Sequence, residues 1–374
     1  MEAKELHLIF ARIWRTGRQK EQGRSTRLHF VAARQANDQA RNTNVSSFVI
    51  RISFVILHSC FVIPLMEILR STTDLATLEG PLFLAIGAFD GVHLGHQAVI
   101  STSARHAHSE DGTPVVVTFD PHPAKVLRPE NPPHLITSTP HKIALIRTLG
   151  VGHLLIIPFD KNFAQTEAED FVAQLTESAK PLCEICVGHE WSFGKNRAGN
   201  LALLRKLGGR HHFNVVGIPP VKVNGAVVSS TAIRARIERG DFAGAAAMLG
   251  RDYTILGTVR EGSKLGRQLG FPTANLSAHS EQFPPNGVYF VEAWFEGVLH
   301  HGVVNVGFRP TVSGEKAERV IEVHLLDFHR DIYGADIEIK FMQFLRPEKK
   351  FESVEALGQQ IAADVKKARE LCAA

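Results

Sequence analysis

His93 and His96 stand three residues apart in "LAIGAFDGVHLGHQAVI" (84–100), where an apolar run gives way to a helix-like stretch. At a helix start that spacing puts both imidazoles on one face. The unpaired backbone N–H groups of a helix start already favour anions. Two imidazoles added to them make a clamp for phosphate, with donors for charge that develops on phosphoryl oxygens. Gly87 and Gly91 let the backbone approach a ligand closely, with Phe89 and Asp90 between them. A histidine pair can also bind metal, but no carboxylate or third ligand follows at metal-site spacing. Two surface histidines are the bland alternative.

Three more stretches carry chemistry. In "VSSTAIRARIERGD" (228–241), Ser229, Ser230 and Thr231 can cap a helix or donate hydroxyls to phosphates, and Arg234 supplies a planar fork. In "EGSKLGRQLGFPTANL" (261–276), the Thr273 hydroxyl and the Asn275 amide oxygen lie close together. Both are neutral oxygen donors of the kind a hard divalent cation takes. In "IEVHLLDF" (321–328), alternation puts Glu322 and His324 on one face, opposite Ile321, Val323 and Leu325. Without further context such a glutamate reads as solvated. The lone CxxC "CEIC" (183–186) falls in a buried-strand run and reads as two packed thiols rather than a redox or zinc site.

The elements that must position these groups follow a pattern. "LFLAIGAF" (82–89), "PVVVTFD" (114–120), "HLLIIPFD" (153–160), "EICVGHEWSF" (184–193) and "FNVVGIPPV" (213–221) are short Val- and Ile-rich runs. They alternate with helix-like stretches, which argues for a parallel sheet with α/β winding. From Tyr253 onward come β-rich runs separated by Gly, Pro and Asn, which predict an antiparallel sheet or small barrel. A final helix is expected over 353–371, and the boundary between the halves at about 248–252.

The chain of 374 residues has room for two cores. Its net charge of +4 is uneven: ten of the 42 Lys and Arg but only four of the 38 Asp and Glu lie in residues 1–65. The rest of the chain carries 32 bases against 34 acids, so its body has no basic excess to favour nucleic acid. Four cysteines are too few for a disulfide scaffold and fit a reducing compartment. The apolar run from Ile52 to Met66 is about 15 residues, short of the ~20 that span a bilayer. Arg51 and His58 interrupt the longer run from Ser47 to Met66, and an Arg near a helix centre costs about 2.5–3.5 kcal/mol on insertion scales. No signal-peptide cleavage pattern follows either. Residues 1–65 are therefore expected to be an extension from a start placed upstream of Met66, not native or disordered, rather than an anchor.

The motifs together resemble a known family. "GAFDGVHLGH" (87–96) resembles the GxFDxxHxGH signature of nucleotidyltransferases that activate small phosphates with ATP or CTP. "TFDPHP" (118–123), "VGHEWSFGKNRAGN" (187–200) and the SSTAIR segment resemble further motifs of the bacterial FAD synthetases. Glu190, Trp191 and Asn200 depart from the Asp, Phe and Asp that are commoner in the flavin-site motif. The PTAN core, with "NGVYFV" (286–291), "VVNVGFRPTV" (303–312), "DIYG" (331–334) and "FLRPEKKFESVEAL" (344–357), resembles the riboflavin kinase module. Residues 66–374 as a whole are similar to the bifunctional bacterial riboflavin kinase/FAD synthetases.

That resemblance implies an α/β plus β fold. A Rossmann-like nucleotidyltransferase domain with a parallel sheet would occupy 66–249, and a small antiparallel β-barrel with a terminal helix 250–374. It implies phosphorylation of riboflavin to FMN by ATP, then adenylylation of FMN by ATP to FAD with release of pyrophosphate. Glu322 would be the kinase's general base, with Mg²⁺ on Thr273 and Asn275. His93, His96 and Arg234 would carry adenylyl transfer. ATP phosphates would meet Gly87, Phe89, Asp90, Gly91, Ser229, Ser230, Thr231, Gly266 and Arg267. Flavin would meet Asp120, His122, Glu190, Trp191, Phe193 and Arg346. The implied partners are small molecules only, with no nucleic acid and no membrane, in the cytoplasm. One rival is a kinase whose adenylyl transfer is weakened by the Glu190–Trp191 change. Another is a flavin-binding protein on a decayed scaffold, against which all the catalytic positions are filled.

Overall fold

The computed structural model describes residues 66–261, 270–280, 282–309 and 318–373. Residues 1–65, Gly266 and Arg267, on which part of the reading above falls, lie outside the described residues. The Val- and Ile-rich runs become five strands: β2 (Leu82–Ile86), β3 (Thr113–Asp120), β4 (His153–Pro158), β5 (Leu182–Gly188) and β6 (Asn214–Ile218). A three-residue strand, β1 (Glu67–Leu69), joins them in one parallel sheet of order β1-β4-β3-β2-β5-β6. Side chains alternate between its two faces, and both faces are covered. Leu84, Ile86, Val115 and Val117 pack in one apolar cluster; Ala85, Val116, Leu154 and Ile156 pack in the other.

Helices α1 (Leu94–Ser109), α2 (Pro123–Leu127), α3 (Thr139–Arg147), α4 (Ala168–Ser178) and α5 (Leu201–His211) connect the strands. A two-strand hairpin of β7 (Lys222–Val223) and β8 (Ala226–Val227) precedes α6 (Ser230–Ile237) and α7 (Phe242–Leu249). Polar side chains set several starts: His93, Asn200, Ser229 and Asp241 each accept a hydrogen bond from the first turn of their helix. Gly250 ends α7 in the left-handed region at φ +71°. Any Cβ there would lie 2.5 Å from Leu94 Cδ2, so α7 ends tight against the start of α1.

The β-rich half closes into an antiparallel barrel of order β10-β13-β12-β11-β14-β9. Its strands are β9 (Thr254–Arg260), β10 (Ala274–Ala278), β11 (Gly287–Phe295), β12 (Val298–Arg309), β13 (Glu318–Leu325) and β14 (Asp336–Arg346). Ile255, Val259, Ile321, Val323, Ile337 and Ile339 are buried in alternation with more exposed residues, as period-2 patterning requires, whereas in β12 Val303 is buried along with Val304 and Val306. Helix α8 (Val354–Cys372) covers part of the outer face through Val365 and Ala368 on Val288, Phe290 and Val303. The α/β sheet, the barrel and the terminal helix are as the sequence led one to expect. Strands β1 and β10 and the β7–β8 hairpin were not foreseen. Cys186 is buried and Cys183 half-buried, both free, and burial raises both thiol pKa values. Among the described residues no helix is long and apolar enough to cross a membrane.

Candidate functional site

Strand β2 ends at Ile86 and delivers a tight turn to the start of α1. Gly87 is required there, because a Cβ would meet the Phe89 ring at 2.8 Å. Phe89 is buried, with φ +50°, and packs edge-on against His96, ring centroids 5.3 Å apart. His93 caps α1: its Nδ1 accepts the His96 backbone N–H at 3.3 Å. That bond leaves the ring proton on Nε2, free to donate. The two imidazoles stack, centroids 3.5 Å apart and planes 18° from parallel. Burial, with the charges of Arg251 and Arg234, holds the His93 pKa down at about 3. Burial, with His93, Lys142 and His122 nearby, holds His96 well below the usual histidine range. Both rings are thus neutral at physiological pH and each carries one ring N–H rather than a charge.

The turn is braced by Asp90, whose side chain is 2% exposed. Its Oδ1 accepts from the backbone N–H groups of Ile136 and Thr137 at 3.0 and 3.1 Å. Its Oδ2 accepts from Arg234 Nη2 at 2.6 Å, while Arg234 Nε donates to the His134 carbonyl. Ser230 Oγ donates to the Asp90 carbonyl at 2.9 Å. Gly91 N–H donates to Thr137 Oγ1. Asp90 therefore spends its carboxylate on protein donors and fixes α6 beside α1, rather than facing a ligand. Ser229 is occupied as the cap of α6, whereas Thr231 is exposed on its first turn.

Lys142 was missed by the sequence reading. It is 4% exposed, and its Nζ donates to the Ala88 carbonyl at 2.8 Å. Burial lowers its pKa, against the opposing charges of Asp90 and Asp120. The only signal for it was a lysine in an otherwise apolar helix face of "TPHKIALIR". His122 caps α2 and is held to about 4, chiefly by burial. Asp120 is exposed and accepts from Thr139 Oγ1 at 2.8 Å.

In the flavin-site segment, Phe193 is 7% exposed and belongs to the core beneath the sheet. Trp191, half-buried, stacks on it at 4.6 Å and 13°. Trp191 is thus the ring with an open side, and Phe193 supports it. Glu190 is exposed. Asn200 caps α5 through the Leu203 N–H at 3.0 Å, a role asparagine fills as well as aspartate.

On the barrel, Asn275, Glu322 and Asn305 form one row across β10, β13 and β12 as direct cross-strand partners. They point outward, because their neighbours Ile321, Val323, Val304 and Val306 fill the interior. Asn275 Oδ1 is buried and has no hydrogen-bond partner. Thr273 lies at the rim of a cavity of about 360 Å³, with Val259, Val323, Leu325, Ile332 and Tyr333 also lining it. The PTAN segment is pinned where His324 Nδ1 pairs with the Pro272 carbonyl at 2.9 Å. Arg346 is committed elsewhere: its Nε and Nη2 grip the Asp364 carboxylate of α8 at 2.8–3.0 Å, and Nη1 donates to the Pro347 carbonyl. It anchors the terminal helix instead of presenting a free fork.

The neutral histidine pair at a helix start and the barrel row of amide, carboxylate and amide are built on separate elements. Comparison with known proteins also divides the chain in two. The family model for FAD synthetase matches residues 76–232, and that for riboflavin kinase matches 249–372. A bifunctional riboflavin kinase/FMN adenylyltransferase of Pseudomonas fluorescens is 37% identical over 315 residues, covering 82% of this chain and 98% of that protein. One of Buchnera aphidicola is 34% identical, covering 80% of this chain and 96% of that protein. A solved structure from Streptococcus pneumoniae, titled a macrolide-efflux protein, is 28% identical with TM-score 0.68 and covers 82% of this chain and 99% of that one. With both family models matched and relatives above 30% identity covered almost end to end, the chain belongs to the bifunctional riboflavin kinase/FMN adenylyltransferases.

Proposed function

We propose that the two activities run in two places, riboflavin phosphorylation at the Asn275–Glu322 row and FMN adenylylation at the His93–His96 pair. In the first, the 5′-hydroxyl oxygen of riboflavin attacks the γ-phosphorus of ATP and ADP leaves. Glu322 accepts the hydroxyl proton. Its outward place in the strand, beside Asn275 and Asn305, supports that role. The orphaned Asn275 Oδ1 and the Thr273 hydroxyl fit a hard divalent cation, because both are neutral oxygens and one lacks any protein donor. Mg²⁺ held there would neutralise charge on the ATP phosphates. The cavity at the rim beside Thr273 has room for part of a nucleotide.

In the second reaction an FMN phosphate oxygen attacks the α-phosphorus of ATP, and pyrophosphate leaves. That nucleophile is already ionised, so the residues need to position and donate rather than remove a proton. His93 Nε2–H and the His96 ring donate to the phosphoryl oxygens. Lys142 and Arg234, braced by Asp90, supply positive potential. Trp191 offers its open face to the isoalloxazine ring. Free thiols at Cys183, Cys186 and Cys372 support work in the reducing cytoplasm.

The observation that carries the reading is that the two clusters are built on different elements, so each can be removed alone. With riboflavin, ATP and Mg²⁺ supplied, His96→Ala is expected to accumulate FMN without FAD. With FMN and ATP supplied, Glu322→Ala is expected to make FAD while failing to phosphorylate riboflavin. A single substitution that ends both activities in a folded protein contradicts the two-site reading.

A further inference from the structure

Where α3 meets the barrel, buried polar atoms lack partners. His141 is 3% exposed, and its Nδ1 makes no hydrogen bond; Nε and Nη1 of Arg251 are likewise buried and unpartnered. Such gaps are rare in folded chains, and here the Glu338 carboxylate lies beside His141 and its charge reaches Arg251. Glu338 Oε1 lies 3.5 Å from His141 Nε2, an ion-pair distance without hydrogen-bond geometry. Burial pushes the Arg251 pKa down to about 10, and the charge of Glu338 works against that fall. Glu338 belongs to the barrel: Ile337 and Ile339 on either side of it are buried in the barrel core, and Thr254 Oγ1 donates to its Oε1 at 2.6 Å.

Both partners of Glu338 lead to the adenylyl-transfer residues. His141 immediately precedes Lys142, whose Nζ holds the carbonyl of Ala88 just before the Phe89–Asp90 turn. Arg251 follows the end of α7, which is fastened to α1. Gln97 Nε2 donates to both the Leu249 and the Val92 carbonyls, at 2.8 and 2.9 Å, and Gly250 abuts Leu94. The guanidinium acts on His93 across that contact. We infer that Glu338, a barrel residue, is a positioning residue for FMN adenylylation, setting the placement of Lys142 and His93 through His141 and Arg251. The inference rests on the adenylyl-transfer site proposed above.

Glu338→Gln in the full chain keeps the size and the acceptor for Thr254 and removes the charge. Misplacing reacting groups by an ångström can cost about 100-fold in rate. The expected result is a kcat for FAD formation from FMN reduced about 10- to 100-fold. KM values for ATP and FMN are expected to stay within about twofold. Riboflavin phosphorylation stays unchanged even where the loss of charge beside buried Arg251 and His141 lowers Tm, and Glu338→Asp recovers part of the loss. Arg251→Lys, which keeps charge but loses the fork, is expected to show the same selective fall and carries the test if Glu338→Gln does not fold. Unchanged FAD formation in both variants overturns the inference, as does an equal loss of both activities with a lower Tm. His96→Ala is assayed alongside. If it retains FAD formation, the site itself is misassigned; if it loses FAD formation while Glu338→Gln keeps it, only the positioning role fails.

Discussion

Asn275 and Glu322 are direct partners across β10 and β13, and the amide oxygen of Asn275 is buried without a donor. An unmade hydrogen bond beside a carboxylate weakens the apo fold, and a cation would relieve it. In the wild type, Mg²⁺ with ATP is expected to raise Tm by linkage. In Asn275→Ala that rise should shrink, riboflavin phosphorylation should fall, and the Tm of the ligand-free protein should hold or increase. Thermal melts with and without Mg²⁺–ATP check all three.

Glu322→Gln keeps the outward row of polar groups but cannot take a proton. Loss of a general base costs about 10²–10⁴ in rate. Riboflavin phosphorylation is expected to fall by that factor, while FAD formation from supplied FMN stays at the wild-type level. Chromatographic separation of riboflavin, FMN and FAD from one reaction reads both numbers.

Asp90 holds Arg234 and the 136–137 backbone together in a nearly solvent-free place. Removing one member of a buried ion pair costs about 3–5 kcal/mol. Asp90→Ala is therefore expected to lower the unfolding free energy read from a urea titration by that amount, besides lowering FAD formation. A variant with intact stability and weaker ATP binding would instead make Asp90 a ligand contact.

Three histidines make the fold sensitive to acid. Burial holds His93 to about 3 and His122 to about 4, with His96 also well below its ordinary range. In the unfolded chain each titrates near 6.5. Between those values the unfolded state binds more protons, so stability is full above pH 6.5 and declines as pH falls toward 4. The limiting slope is about 1.4 kcal/mol per pH unit for each histidine. Urea midpoints at pH 7, 6 and 5 are expected to fall in that order. His122→Asn, which preserves the cap of α2, should reduce the slope.

The fold and the chemistry of the site were not equally legible in the chain. His93–His96 and Thr273–Asn275 are local spacings, so sequence alone exposed them. Val/Ile runs marked β2 to β6 because strands buried on both faces cannot hide a polar alternation. Strand β10 was hidden because its first residues, Ala274 and Asn275, close the PTAN motif, which shows no strand alternation of its own. β1 was hidden because three residues carry no period. Asp90, Phe193 and Arg346 sit in motifs that pointed to ligands, yet they hold Arg234, Trp191 and Asp364. A motif records that a residue type is needed and is silent on which partner needs it. Lys142, His141 and Arg251 gain meaning only from groups far away in the chain, such as Glu338, and no local pattern announces them.

The hydrogen bond from Thr254 to Glu338 joins the first barrel strand to the last, across 84 residues of chain. A closed barrel has no free edge, so it cannot be completed until β14 has been made. During translation the parallel sheet emerges first and folds as a unit, while joining β9 to β14 must await the end of the chain and close a long loop. With Glu338 as a support for FMN adenylylation, a nascent polypeptide holds His93 and His96 before the residue that helps to place them has joined the fold. The second reaction then reaches its full rate only once the barrel that makes FMN has closed.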